Sequence, residues 1–156
     1  MNPKVVEEAG FKVIGIEART SNAREMSGTG VIASQWTRFM KDNLLAQIPN
    51  KTDAAILAVY SDYASDENGE YSLMIGARVS SAAKVPAGMV ARQVPSGRYA
   101  IFSSERGPVE KVVMATWQKV WAAPGIERAY YVDFELYDER ARDPNNAQVD
   151  ICVGIK

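Results

Sequence analysis

Among its 156 residues the chain has no histidine. That absence removes the commonest general base at neutral pH, the serine–histidine and cysteine–histidine nucleophile pairs, and the usual zinc sites together. Any catalysis would rest on carboxylates, lysine or tyrosine, and we expect neither metal nor cofactor. Cysteine is nearly absent too. The single Cys152 falls in an apolar strand pattern, cannot form an internal disulfide, and reads as a small buried hydrophobe in a reducing compartment. No apolar run approaches the roughly 18 residues of a membrane helix, and there is no signal-peptide pattern, so a cytoplasmic protein without membrane contact is expected. Charge of one sign does not gather anywhere: 18 basic residues face 19 acidic ones, for a net charge of -1. The electrostatic footprint of direct nucleic-acid binding is missing.

What is present suits one soluble domain spanning residues 1–156. Apolar residues make up 47% and charged residues 24%, ordinary values for a globular protein with a substantial core. Residues 11–18 form a short apolar strand bounded by Gly10 and a polar segment, and residues 20–30 read as a loop. From Val31 the period changes to that of a helix: Ile32, Trp36, Phe39, Met40, Asn43 and Leu44 form a stripe that runs to about Ala46 and ends before Pro49. Residues 54–63 and 71–79 are antiparallel strands joined across the turn signal Asn68-Gly69. Residues 82–95 serve as a crossover with room for a short strand at Met89-Val90-Ala91.

After the crossover the pattern begins again. Residues 97–103 are a strand, Gly107-Pro108 a turn, and residues 109–123 a helix striped by Val109, Val112, Val113, Trp117, Val120 and Trp121. Residues 130–137 are a strand, and Val149, Ile151, Val153 and Ile155 mark the last one. The halves superpose as sequences: Ala58-Val59-Tyr60 on Glu135-Leu136-Tyr137, and Ile75-Gly76 on Val153-Gly154. A tandem strand-helix-hairpin unit, about 11–81 and about 97–156, predicts an α+β domain. Its mostly antiparallel sheet would carry two helices, with pseudo-two-fold symmetry and a groove where the copies meet.

The strand at 130–137 carries charge in its middle. By alternation one face is Tyr130, Val132, Phe134 and Leu136, a core row, and the other is Tyr131, Asp133, Glu135 and Tyr137. Two carboxylates between aromatic rings would suit an organic cation, through charge and cation–π contact. A simply solvated face gives the same pattern. A further alternative for Glu135 is an internal salt bridge to an arginine such as Arg98. Asp133, nearer the start of the strand, reads as solvated.

The chain resembles the GyrI-like effector-binding domains found alone and in AraC-type and MerR-type bacterial transcription regulators. The likeness rests on Pro95-Ser96-Gly97-Arg98-Tyr99-Ala100, on Trp117 and Trp121, on Asp133-Phe134-Glu135-Leu136-Tyr137, and on Asp143-Pro144 before the last strand. It implies that Glu135 pairs with lipophilic organic cations in an aromatic cavity. Tyr137, Tyr60 and one or more of Trp36, Trp117 and Trp121 would supply the contact area, for a non-catalytic sensor or sequestering protein. The chain departs from the regulators in leaving no segment for a helix-turn-helix, so direct control of a promoter by this chain alone is not expected; the partner expected from the resemblance is a DNA-binding regulator or, from the association of the GyrI namesake, gyrase. Two rival readings go with it: an interaction module of the gyrase-inhibitor type, and a small-molecule hydrolase with a carboxylate base.

Overall fold

The computed structural model describes residues 3–66 and 68–156. Along the chain run β1 (Lys4–Glu8), β2 (Phe11–Ser21), α1 (Asn22–Met26), α2 (Ile32–Lys41), α3 (Leu44–Gln47), β3 (Ile56–Ser61), β4 (Glu70–Val79), β5 (Val90–Val94), β6 (Gly97–Ser103), α4 (Val109–Ala122), β7 (Arg128–Tyr137) and β8 (Asp150–Ile155). The strands form one sheet in the order β1-β6-β8-β7-β3-β4-β2-β5, and the pairings are antiparallel. The α+β class and the doubled layout expected from the sequence are therefore borne out. Outward from the central pair β3 and β7 come β4 and β8, then β2 and β6, then β5 and β1.

The outermost strands are exchanged between the halves. β1 directly precedes β2 yet pairs with β6, and β5 directly precedes β6 yet pairs with β2. Six strand spacings, about 29 Å in a flat sheet, separate β1 from β2, whereas the three steps from Glu8 to Phe11 span only about 10 Å. The sheet must therefore curl until its ends approach. Where the two connections cross, Gly10 has φ +85°, and a Cβ there would lie 2.9 Å from the Ser96 nitrogen. Gly15 and Gly76 face each other where β2 and β4 pair. A Cβ on Gly76 would stand 2.0 Å from the Ile14 carbonyl oxygen.

Both faces of the curled sheet are buried, so its strands read as nearly continuous apolar runs. Ile14, Ile16, Leu73 and Ile75 pack outward under α2 and α3 with Phe39, Leu44 and Ile48. Ala100, Phe102, Ile151 and Val153 pack under α4 with Trp117 and Val120. The alternate residues, Val13, Leu57, Val59, Met74, Val132 and Phe134, fill the inside of the curl.

Three local expectations are corrected. The helix expected over residues 31–46 breaks at Asn43, which adopts φ +50°, a left-handed conformation that asparagine tolerates where a helix ends. Within α2, Met40 falls off the buried stripe and is 61% exposed, while Phe39 and Leu44 are buried. Residues 20–30 contain the short α1, started by Ser21, whose hydroxyl accepts from the Arg24 N–H at 3.2 Å. Glu25 then folds back to accept from the N–H groups of Val31 and Ile32 at 2.8 and 3.2 Å. It thereby caps α2, whose N-cap Val31 has no side-chain acceptor of its own. Residues 4–8, outside the strands read from the sequence, form β1.

Gly76→Ala is expected to cost about 3 kcal/mol or more, because neither backbone can move away without opening the curl. Gly28→Ala, at a positive φ with open space around it, should cost only about 1 kcal/mol. Urea unfolding of both variants checks this, and equal losses would contradict it.

Candidate functional site

β7 and β3 lie side by side at the centre of the sheet, and Ala58 stands directly opposite Glu135. These two positions are equivalent in the repeat, so the pseudo-two-fold axis passes between them. The equivalent tyrosines Tyr60 and Tyr137 then both reach one carboxylate. Tyr60 donates from Oη to Glu135 Oε2 at 2.8 Å, and Tyr137 donates from Oη to Oε1 at 2.6 Å. Trp117 adds its indole N–H to Oε2 at 2.6 Å from α4. Glu135 is 2% exposed.

The rings form a wall around this group. Trp36, on α2, meets Tyr137 edge to face at 4.7 Å between centroids, and Tyr60 meets Trp117 at 5.4 Å. Trp121 stands further out, 6.2 Å from Trp117 and 37% exposed. The fold thus gathers Glu135, Tyr60, Tyr137, Trp117 and Trp36, with Trp121 at the margin. Tyr71, 5.4 Å from Tyr60, and Tyr63, 5.9 Å from Tyr71, extend the wall. Neither was singled out from the sequence. Tyr71 shares the parity of Leu73 and Ile75, which alternation alone places on the helix-covered side. Tyr63 lies beyond the end of β3, where no periodicity operates.

The expected row Tyr131, Asp133, Glu135, Tyr137 is corrected at one end. The β7–β8 register shifts between Arg128 and Asp133, and Tyr130 takes φ +52°. This bulge sends Tyr131 into solvent at 66% exposure and turns Tyr130 toward Tyr63, 5.9 Å away.

Asp133 is corrected as well, since it is fully buried rather than solvated. It accepts from the Arg128 guanidinium at 2.7 Å, from the Gly154 N–H at 2.8 Å and from the Tyr63 hydroxyl. The internal salt bridge considered for Glu135 therefore falls on Asp133, and its arginine is Arg128. Arg98 is exposed.

The electrostatics of the two carboxylates diverge as a result. Among the described residues no lysine or arginine forms an ion pair with Glu135. Burial pushes its carboxyl above the usual carboxylate range, and the bonds from Tyr137, Trp117 and Tyr60 pull it part of the way back. The hydroxyls of Tyr60 and Tyr137 are driven well above the normal tyrosine value, chiefly by burial and next by Glu135. They remain donors at any physiological pH. Chemically, the site is an uncompensated acid in an aromatic cage: it lacks a cation, not hydrogen bonds.

Residues 4–155 match the model of the Cass2 family, described as integron-associated effector binding protein. The chain belongs to that family. The resemblance to GyrI-like effector-binding domains is thereby borne out, and family membership places the chain among binding proteins rather than enzymes. It is 35% identical to YobU of Bacillus subtilis, named as a candidate transcriptional regulator, over 91% of this chain and 90% of that one. It is 32% identical to the transcriptional regulator BrlR of Pseudomonas aeruginosa over 99% of its own length, but spans only 56% of BrlR. In three dimensions it resembles SAV2435 bound to tetraphenylphosphonium, with a TM-score of 0.81 at 21% identity, covering 100% of this chain and 94% of that one. Among the described residues no helix is long and apolar enough to cross a membrane, and no group of histidine, cysteine, aspartate and glutamate could hold a metal ion.

Two outcomes follow from the electrostatics. Because folding raises the Glu135 pKa, the folded state holds an extra proton above the unfolded carboxylate value of about 4.3. Stability should therefore fall as pH rises through that window. Glu135→Gln should flatten this slope and melt at or above the wild-type temperature at neutral pH, as measured by thermal melts across the range; a steeper slope would contradict it. Arg128→Met strands Asp133 and should cost about 3–5 kcal/mol in urea unfolding, and a loss below about 1 kcal/mol would refute the pairing.

Proposed function

We propose that the chain binds lipophilic organic cations at Glu135, as a sensor or sequestering protein. The observation that carries this reading is the buried, raised carboxyl of Glu135, left without a basic partner while Asp133, two residues away, has Arg128. A delocalised cation would supply the missing charge, lower the carboxyl pKa and exchange water for ring faces, each cation–π contact contributing about 0.5–2 kcal/mol. Tyr60 and Tyr137 approach from opposite halves, so the ligand would sit on the axis. Trp36 is only half-buried and would swing aside with Tyr137 to admit it. The likeness to a tetraphenylphosphonium-bound structure supports the same class of ligand.

The regulatory setting rests on the names of YobU and BrlR. Occupancy at Glu135 would be read out through a DNA-binding protein, on the same polypeptide or a separate one. A contact with gyrase draws no support from these relatives.

Tryptophan fluorescence during titration with tetraphenylphosphonium, beside the neutral triphenylphosphine oxide, tests the reading. We expect a saturable change with the cation that weakens at least about tenfold, roughly 1.4 kcal/mol, for the neutral compound and for Glu135→Gln. Equal affinity of wild type and Glu135→Gln for the cation would sink the role of Glu135.

A further inference from the structure

A concavity lies beside the β3–β7 pair, on the side of the sheet away from Glu135. Tyr60 points to the carboxylate, so its neighbours Val59 and Ser61 point the other way, by strand alternation. They line a cleft of about 510 Å³ with Val132, Tyr131, Asp62 and Gln93, among others. That volume lies in the ordinary range for small-molecule sites, about 300–1,000 Å³.

Three features of this cleft are costly for a structure that uses it for nothing. The Ser61 hydroxyl oxygen is buried at the wall without a hydrogen-bond partner, and the residue is only 6% exposed; such a group carries a desolvation penalty until something pairs with it. Tyr131 is held at the mouth with most of its ring in solvent. Asp62 and Tyr130, which also line the cleft, both adopt left-handed backbone, with φ +51° and +52°. For a bulky tyrosine this conformation is strained, and such strain collects at binding sites.

The charges around the cleft cancel, in contrast to those at Glu135. Arg92 bridges Glu17 at 2.8 Å and Asp62 at 2.7 Å, and Arg19 donates to the Asp62 carbonyl. The two charged residues that line the cleft, Arg92 and Asp62, thus pair with each other, and an incoming charged group would find neither of them free. The floor of Val59 and Val132 is apolar, with Gln93 offering an amide at the side.

We infer that this cleft is a second binding site, for a neutral planar aromatic molecule whose carbonyl oxygen accepts from Ser61 while its rings lie against Tyr131. The site differs from the cation site in ligand charge and lies across β3 from Glu135, with Tyr63, which packs on Tyr71, at its edge. Because it sits on the opposite face of β3, both can be filled at once.

The test is fluorescence polarisation of 7-amino-4-methylcoumarin, a neutral planar lactone, titrated with the protein. Saturable binding is expected, unchanged by excess tetraphenylphosphonium and by Glu135→Gln, and weakened at least tenfold by Tyr131→Ala and by Ser61→Ala. Ser61→Ala should also melt no lower than wild type, since it removes an unpaired buried hydroxyl. Absence of saturable binding, displacement by tetraphenylphosphonium, or indifference to either substitution would overturn the inference. A lowered melting temperature for Ser61→Ala would do the same, by showing that the hydroxyl has a partner within the fold.

Discussion

A carboxylate taken from water into a protein interior loses hydration worth several kcal/mol, and only a cation or a proton returns most of it. Glu135 has neither a lysine nor an arginine beside it, so the cage of Tyr60, Tyr137 and Trp117 must hold the acid by hydrogen bonds alone. This constraint explains the asymmetry of an otherwise symmetric fold. A glutamate at the equivalent position would set two acids across one strand pair, each raising the other's pKa. Ala58 stands there instead. The axis receives one charge, and the symmetry is kept for the two tyrosines that hold it.

The same constraint gives meaning to Asp133 and Arg128. An arginine within the aromatic cluster could have neutralised Glu135, but Arg128 is committed to an aspartate two residues earlier on the strand. Its guanidinium also lies over the rings of Tyr130 at 4.4 Å and Trp117 at 5.8 Å. The protein therefore places a cation of its own on the flank of the aromatic wall while leaving the central acid unmatched. The curl of the sheet, enforced by the exchange of β1 and β5, separates the two faces of β3. One face serves the charged axis and the other the neutral cleft.

Much of this was legible in residue order. The alternation of period 2 and period 3.6 locates the main strands and helices, and the alignment of Tyr60 with Tyr137 places the axis. Asn43 broke a helix that apolar spacing alone carried through, because a left-handed stop depends on one residue's backbone and not on periodicity. Residues 4–8 were not legible as β1, since a short edge strand draws its stability from pairing with β6, about ninety residues away. The bulge that exchanges Tyr130 for Tyr131 is set by the register against β8, which no local pattern encodes. The burial of Asp133 was hidden for a related reason: a charged residue in a strand reads as wet until the arginine that reaches it is known.

Proton exchange during cation binding addresses the account most directly. Calorimetric titration with tetraphenylphosphonium in two buffers of different ionisation enthalpy, from about pH 5 to 7, counts the protons released. If an unmatched Glu135 waits for a positive charge, wild type will release protons on binding at the acidic end, release will diminish as pH rises, and Glu135→Gln will release none. Absence of release throughout, or equal release by Glu135→Gln, would mean that the charge balance of the site lies elsewhere.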